Sequence, residues 1–531
     1  MKFLRDFIQA TPLRERLFRR YYVGSVGTAF GYTMLVTAAA WQMATLTPAA
    51  WMVALVQTAS TAPSLVFGLI AGSLADIVDR RRVLVGAQWL LLAAAAGLGI
   101  LSIVGLTGPV ILLFFVAIVG AGFAFYMPAY QASINDLVAR EELPRAIGLG
   151  AAAFNVARAA GPALAGAVAA WLGSGSALIA SAVFFVPMMF AIRAMPAPAA
   201  RLGGVPETVL SGVRAGLRYA RHSPPVRSLL LHNLNFSICA SALWALMPVV
   251  ARDQLGLGAG GYGLLFGTFG VGAVIAAFVI PQAMQRHPLN RVVSTAMLLW
   301  PAAVLIVAAT NYLALSLLGV LVAGGAWVGT LASLGAGTQS TVPPWVRARA
   351  MSLNLLTVQA SLAIGAAIWG AVASALGLQI TLFVSAGLML LLFVLGRRVH
   401  VSLGQEEDVT PWNQLPELVI AAEPTPDDGP VLVQREYRID PRDRKEFLAA
   451  IHEVEATRRR NGATVWRVYR DLAEEGKYVE RFIIASWAEY MRSRSRMTMA
   501  DHEIQDRAAA FQRADVPIKV SRLIAVDSGD D

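Results

Sequence analysis

A chain of 531 residues that is 56% hydrophobic and only 15% charged is not a soluble globule, in which roughly a quarter of the residues carry charge; it reads as a polytopic membrane protein. The formal charge of +10 is unevenly divided, because residues 1–398 hold 25 Lys/Arg against 9 Asp/Glu, whereas residues 399–531 hold 19 against 25. Basicity therefore belongs to membrane topology, and nucleic acid is not the expected partner. The single cysteine, Cys239, allows no intrachain disulfide and no cysteine-rich metal site; no metal and no cofactor are expected.

Residues 1–20 form a basic N-terminal segment in which Arg14, Arg16, Arg19 and Arg20 precede an apolar stretch. No small-residue cleavage site follows, so a cleaved signal peptide is not expected. A bilayer core needs about 20 apolar helical residues per crossing, and residues 21–397 have room for twelve: six in 21–194 and six in 228–397. The sixth is expected over 176–194 and the eleventh over 351–376. Placing the N-terminus inside leaves Arg252 as the one basic residue of the outer loops, so both termini are expected in the cytoplasm. Trp41, Trp51 and Trp171 fall near outer ends and suit interfacial anchoring. Between the halves, 195–227 is a cytoplasmic loop whose Glu207–Ser223 stretch alternates Val209, Val213, Leu217 and Tyr219 with Arg214, Arg218 and Arg221. That pattern predicts an amphipathic surface helix.

The stretch Asn135–Gly173 recurs after a shift of 204 positions. Gly161, Ala163, Gly166, Ala167, Val168, Ala169, Leu172 and Gly173 meet the identical residues from Gly365 to Gly377, and Arg145-Ala146 meets Arg349-Ala350. A duplicated membrane half follows. The charge is not duplicated, because Arg158 falls opposite Leu362 and Asn155 opposite Gln359.

Arg158 is expected near the bilayer midplane, where insertion costs about 2.5–3.5 kcal/mol and demands a partner or a water-filled cavity. The nine acidic residues before position 399 all fall at predicted surfaces or loops. Two readings stand open: Arg158 faces an anionic or hydrogen-bond-accepting substrate, with Asn155, Asn233 and Asn235 as further substrate-facing candidates, or it bonds to carbonyls of neighbouring helices. Coupling to protons through a central carboxylate is unsupported, and Asp136, Asp253 and His232 at the periphery leave coupling open. Gln42, Gln57, Gln88, Asn354 and Gln359 are polar positions that suit either the cavity or interhelical hydrogen bonds.

The loop Gly72-Ser-Leu-Ala-Asp76-Ile-Val-Asp79-Arg80-Arg81-Arg82 resembles the signature of the major facilitator superfamily after its second helix, with Ile77 and Asp79 departing from the pattern. The resemblance implies a gating role for Gly72, Asp76, Arg80, Arg81 and Arg82. Gly161-Pro162 and Gly166 are similar to the superfamily's fifth-helix packing motif of exporters, although Ala157 and Ala165 replace two of its glycines. PAYQASINDLVAREELPRAIGL followed by NVARAAGPALAG resembles the subgroup of the enterobactin exporter and the transmembrane secretion effectors. The implied protein is an all-α membrane transporter of two six-helix halves in the bacterial inner membrane.

Residues 398–430 read as a Pro- and acid-rich linker. Residues 431–526 then follow β-α-β-β-α-β order: strand 431–439, helix 441–460, a hairpin, one helical stretch 487–511 and a last strand. This is the order of a small α+β ferredoxin-like domain. GATVWRVYRD and VERFIIASW resemble antibiotic-biosynthesis monooxygenases, a family that commonly pairs two copies, which implies a possible homodimer. Trp466, Tyr469, Arg481 and Trp487 are candidate pocket residues or equally core and dimer residues; His452 and His502 lack metal-ligand spacing.

These features together point to a secondary exporter of a small molecule, such as a siderophore or antibiotic, working by alternating access in the bilayer. The alternative is a membrane-tethered enzyme whose tail modifies a metabolite; uptake rather than export is a third reading. No catalytic residues are assigned, and no phosphate-cradling loop favours an ATP-driven pump.

Overall fold

Inside a bilayer, backbone N–H and C=O groups find no water, so an apolar run must close its hydrogen bonds within a helix. The computed structural model describes residues 11–195, 209–396 and 424–526 except 78, 135 and 140, with 409, 410, 412, 418 and 420 in addition; at 69–77, 144, 209–215 and 348 only the backbone is described. The first half contains α1 (Arg16–Leu46), α2 (Ala50–Ile77), α3 (Arg80–Ile103), α4 (Pro109–Ile134), α5 (Leu143–Leu172), α6 (Ser174–Val183) and α7 (Val186–Arg193). A short α8 (Val209–His222) leads to α9 (Pro224–Val249), α10 (Ala259–Arg286), α11 (Leu289–Ala309), α12 (Leu313–Thr341), α13 (Pro344–Leu376) and α14 (Leu378–Gly396).

Among the described residues, eleven helical segments are long and apolar enough to cross a membrane. The expected fifth crossing, α5, is a continuous helix of 30 residues outside that set; it carries Asn155 and Arg158. The expected sixth crossing is among the eleven as Ser174–Arg193, interrupted within its length. It breaks at Phe184 and Phe185, and Pro187, which has no N–H to give an α-helical bond, sits in the first turn of α7. The 204-residue repeat is visible in the backbone: Gly173 and Gly377 take the left-handed φ of 85° and 87° that separates α5 from α6 and α13 from α14, a conformation open to glycine without steric cost.

The chain divides into two compact units. The first holds residues 1–205, 232–333 and 355–398, and the second holds 206–231, 334–354 and 399–531. Within the first, small residues allow close helix approach, as membrane packing requires. Gly161 faces Thr33, whose hydroxyl donates to the Ala157 carbonyl at 3.0 Å, and its repeat mate Gly365 faces Ser241. Gln42 donates to Ser102 at 2.5 Å and Gln88 to Thr28 at 2.9 Å, so both tie α1 to α3. Trp41 is no interfacial anchor: it is buried and stacks on Tyr262 at 5.6 Å. Trp51 and Trp171 are exposed.

The second unit centres on a four-stranded antiparallel sheet of β1 (Val431–Arg438), β2 (Ala463–Arg470), β3 (Lys477–Ile484) and β4 (Lys519–Ile524), ordered β2-β3-β1-β4. One face is covered by α15 (Arg444–Asn461), α16 (Trp487–Ser495) and α17 (Met499–Ala509). The expected single helix 487–511 is two, because Thr498 and Asp501 form a capping box that starts α17 afresh. Deep in this domain Glu480 is fully buried. It accepts from Arg458 at 2.9 Å and Trp466 at 3.0 Å, and Tyr437 donates to it at 3.3 Å. Burial alone raises the Glu480 carboxyl; Arg458 and Arg435 outweigh it and hold the group below its ordinary range.

Glu480→Gln leaves Arg458 buried without its counter-charge, at a cost of about 3–5 kcal/mol. For a domain of this size the melting temperature of the tail falls by more than about 10 °C, read in the full-length protein as lost amide-exchange protection over 431–484. The wild-type contribution is complete above the unfolded carboxylate pKa of about 4.3. It disappears as pH falls through the lower folded value, so acid loosens the wild-type tail and has less further effect on the variant.

The sequence-expected amphipathic helix exists as α8, and it packs on protein. Tyr219 and Ala220 are buried with Val226, Val342, Val346 and Ala350, whereas Leu217 is exposed. Arg218 donates to Glu489 at 3.0 Å, and Arg496 donates to the same carboxylate at 2.8 Å while lying 4.4 Å over the Trp345 ring. Tyr219 meets Trp345 edge-on at 5.7 Å. The tail domain is thus seated on α8 and on the start of α13.

Candidate functional site in the membrane unit

On α5, Gly148, Ala152, Asn155, Ala159, Ala163 and Gly166 recur every three or four residues and so share one stripe. Its later part lies against α10: a methyl added at Gly263, Gly267 or Gly270 would stand 2.8 Å from Gly166 Cα, 3.3 Å from Ala163 Cβ or 2.5 Å from Ala159 Cα. Its earlier part, Gly148, Ala152 and Asn155, is exposed. The continuing stripe of α10, Val274, Ala277 and Pro281, is exposed as well. The two helices therefore touch over one end and part toward the other, with Asn155 and Arg158 at the fork. By the alternation of crossings, the parted end is the one that carries Arg80–Arg82, Arg145 and Arg286.

The closed end is held by a second pair of helices. The Trp51 amide donates to Ser374 Oγ at 3.0 Å, and Thr58 Oγ1 donates to the Ala363 carbonyl at 2.7 Å. A methyl at Gly370 would stand 2.6 Å from Ala54 Cβ. Gly166 and Gly370, mates under the 204-residue shift, thus do the same work: each lets one half rest on the other. Arg252 closes the same end by donating to the Ala44 and Thr47 carbonyls, the latter at 2.9 Å, while paired with Asp253 at 2.8 Å. Gln57 accepts from Trp244 Nε1 at 3.0 Å, joining the halves nearer the fork.

Arg158 lies midway along α5, which runs from Leu143 to Leu172. Its guanidinium sits 5.3 Å from the centroid of Phe154, a cation–π arrangement. Phe154 stacks on Phe123 at 6.1 Å, and Phe123 on Tyr32 at 4.0 Å. Among the described residues no carboxylate forms an ion pair with Arg158. The other half carries its own aromatic cluster, in which Trp244 stacks on Trp327 at 5.2 Å and meets Phe266 and Phe269 edge-on at 5.1 Å. Such surfaces hold flat apolar groups, and the guanidinium adds a fixed fork of donors for an acceptor or anion.

Asn155 shares a turn with Arg158 and is exposed. Asn233 and Asn235 belong to α9 in the other half, where Asn233 is 1% exposed and Asn235 half-buried. Gly161 and Pro162 are buried within an unbroken α5. Gly72 and Asp76 lie on the backbone of α2, and their side chains fall outside the described residues. Arg80 donates to the Ala132 carbonyl at 2.7 Å and to Asp136 at 2.8 Å; Arg81 donates to the Arg193 carbonyl at 3.1 Å; Arg82 is exposed. The first two therefore tie α3 to the ends of α4 and α7. Gln57 makes the kind of interhelical hydrogen bond its polarity suggests; Arg252, Thr58 and the Trp244 cluster are not legible as site residues in the sequence, because each acts through a contact with a distant helix. In the tail, Trp466 and Trp487 are buried beneath the sheet, whereas Arg481 and Tyr469 pair at 5.4 Å on the opposite face; the four do not line one pocket.

Two helical halves that close on each other at one end, with an arginine midway along one of the facing helices, have the layout of a membrane transporter of major facilitator type. The family profile described as transmembrane secretion effector matches residues 8–529. The chain belongs to that family, within the major facilitator superfamily. An uncharacterised major-facilitator-type transporter, y4rN of Sinorhizobium fredii, is 26% identical over 59% of this chain and 78% of its own length. The multidrug efflux pump Tap of Mycolicibacterium fortuitum is 30% identical over 34% of this chain and 46% of its own length, so the alignment spans under half of that relative. Among solved structures, a bacterial homologue of the human lysosomal transporter Spinster aligns at a TM-score of 0.60 and 15% identity, over 73% of this chain and 98% of its own. The nucleoside transporter NupG aligns at 0.55 and 15% identity, over 72% and 98%. These likenesses concern the fold.

Proposed function

We propose that the protein is a secondary exporter of a small aromatic or apolar compound bearing an anionic or strongly accepting group, released by alternating access. The observation that carries this reading is Arg158 at the fork between α5 and α10, held over Phe154 with no described carboxylate partner. Water or substrate must offset the cost of a charge at that depth. The resemblance of one stretch to an efflux pump supports the outward direction. The positive-inside rule supports a cytoplasmic placement of the parted, arginine-rich end and of both termini in a bacterial inner membrane. Asp76 and Arg80–Arg82 would then stand at the cytoplasmic gate. A siderophore such as a catecholate fits the chemistry, as the likeness to the enterobactin exporter suggests.

The tail's strand order supports a ferredoxin-like domain, and its filled interior around Glu480 favours a regulatory or dimerising role over catalysis. Val465 and Leu523, exposed at 43% and 54% on its outer sheet face, suit pairing with a second tail. The test is flux from proteoliposomes preloaded with a fluorescent aromatic carboxylate or a fluorescent aromatic cation. Export predicts movement of the carboxylate in preference to the cation, unchanged in mass. Truncation after Arg398 alters the rate and not the product; a chemically modified product that vanishes on truncation would establish the enzyme reading instead.

A further inference from the structure

A groove of about 550 Å³ on the first membrane half is lined by Arg19, Arg20, Val23, Pro187, Phe190 and Ala191. It lies at the arginine-rich end, between the start of α1 and α7. Its walls follow from the sequence. Gly24 and Gly27 bring α1 against the sixth crossing so closely that a methyl at either would stand 2.8 Å from Met188 Cα or 2.6 Å from the Phe184 carbonyl. The break before Pro187 then starts a new helix between those two contacts, and a recess opens beside it.

The recess is amphipathic along its depth. Val23 and Phe190 are 55% and 63% exposed, apolar surface that suits lipid. Arg19 and Arg20 stand at the membrane-surface side, one turn before Val23. Arg193 lies 6.0 Å from the Phe190 ring and adds a third guanidinium nearby. Among the described residues, no carboxylate forms an ion pair with Arg19, Arg20 or Arg193, although Arg14 nearby is paired with Glu142 at 2.7 Å.

We propose that this groove is a binding site for an anionic phospholipid, with Arg19 and Arg20 on the headgroup phosphate and the acyl chain over Val23 and Phe190. Guanidinium groups match phosphate oxygens bidentately, and basic recesses between helices on the cytoplasmic side of a membrane favour acidic headgroups. A bound lipid would bridge α1 and α7 across the break in the sixth crossing. This site is separate from the fork at Arg158, and its occupancy is read without any transport assay.

The experiment measures lipid retained by the purified full-length protein in native mass spectrometry after exchange into detergent containing phosphatidylglycerol, phosphatidylcholine, or free glycerol phosphate. Wild-type protein retains phosphatidylglycerol over phosphatidylcholine, and free glycerol phosphate does not displace it. Arg19→Gln with Arg20→Gln lowers retention about 30-fold, and Phe190→Ala lowers it with the arginines intact, an effect that topology-setting charge would not produce. Equal retention of the two lipids by wild type, or unchanged retention in the double-arginine variant, would overturn the site. Displacement by glycerol phosphate would overturn the lipid assignment in favour of a soluble phosphate ester.

Discussion

Arg158→Ala is expected to lower transport of an aromatic carboxylate about 10- to 150-fold, because on the proposed reading it removes a charge-assisted hydrogen bond to the bound anion that contributes about 1.5–3 kcal/mol. Arg158→Lys retains the charge without the planar fork and recovers part of the rate. Folding is not the cause of the loss if both variants elute and melt as wild type does. In proteoliposome flux, the alanine variant is expected to lose discrimination between the carboxylate and a matching aromatic cation as well as speed. A variant that transports the carboxylate at the wild-type rate returns Arg158 to a structural role, bonded within its own half.

The second large effect is conformational. Gly166→Val places a side chain where a single Cβ already stands 2.5 Å from Gly263 Cα and 2.8 Å from the Ala259 carbonyl. Neither is the movable end of a side chain, so the closed end cannot absorb the change by a rotamer shift. Overpacking of this kind costs about 1–3 kcal/mol, and it falls on one of two states, which shifts their balance about 5–150-fold. Gly370→Val acts on the symmetry-related contact with Ala54 and Trp51 and is expected to act in the same direction. Labelling of Thr58→Cys in a Cys239→Ala background reports it: the side chain, half-buried against the Ala363 carbonyl when the end is closed, becomes more reactive in the Gly166→Val protein.

Much of this architecture was legible in the chain. Apolar runs separated by basic loops mark the crossings because the bilayer forces helices, and the 204-residue repeat marks Gly166 and Gly370 because two equivalent close approaches need two equivalent glycines. Arg158 was visible as a charge with no acid at its depth. What stayed hidden depends on partners remote in sequence. Trp41 has the position of an interfacial anchor and instead stacks on Tyr262; Arg252 looks like a stray outer charge and instead caps carbonyls of α1 and the loop after it. The break in the sixth crossing needed Pro187 to be weighed as a helix start within an apolar run. Likewise α8, amphipathic enough for a membrane surface, buries Tyr219 against Val342 and Val346, which no local pattern announces.

The central claim is that the halves close at the arginine-poor end, beyond Arg158, and must separate there for transport. Its most direct test is the cysteine pair Ala170→Cys and Gly260→Cys in the Cys239→Ala protein, since a Cβ at Gly260 would stand 3.4 Å from Ala170 Cβ, close to the separation a disulfide requires. Flux is measured before oxidation, after disulfide formation, and after reduction. The account predicts that the disulfide forms in high yield, stops export, and releases it on reduction. Undiminished flux through the cross-linked protein would contradict alternating access at this end.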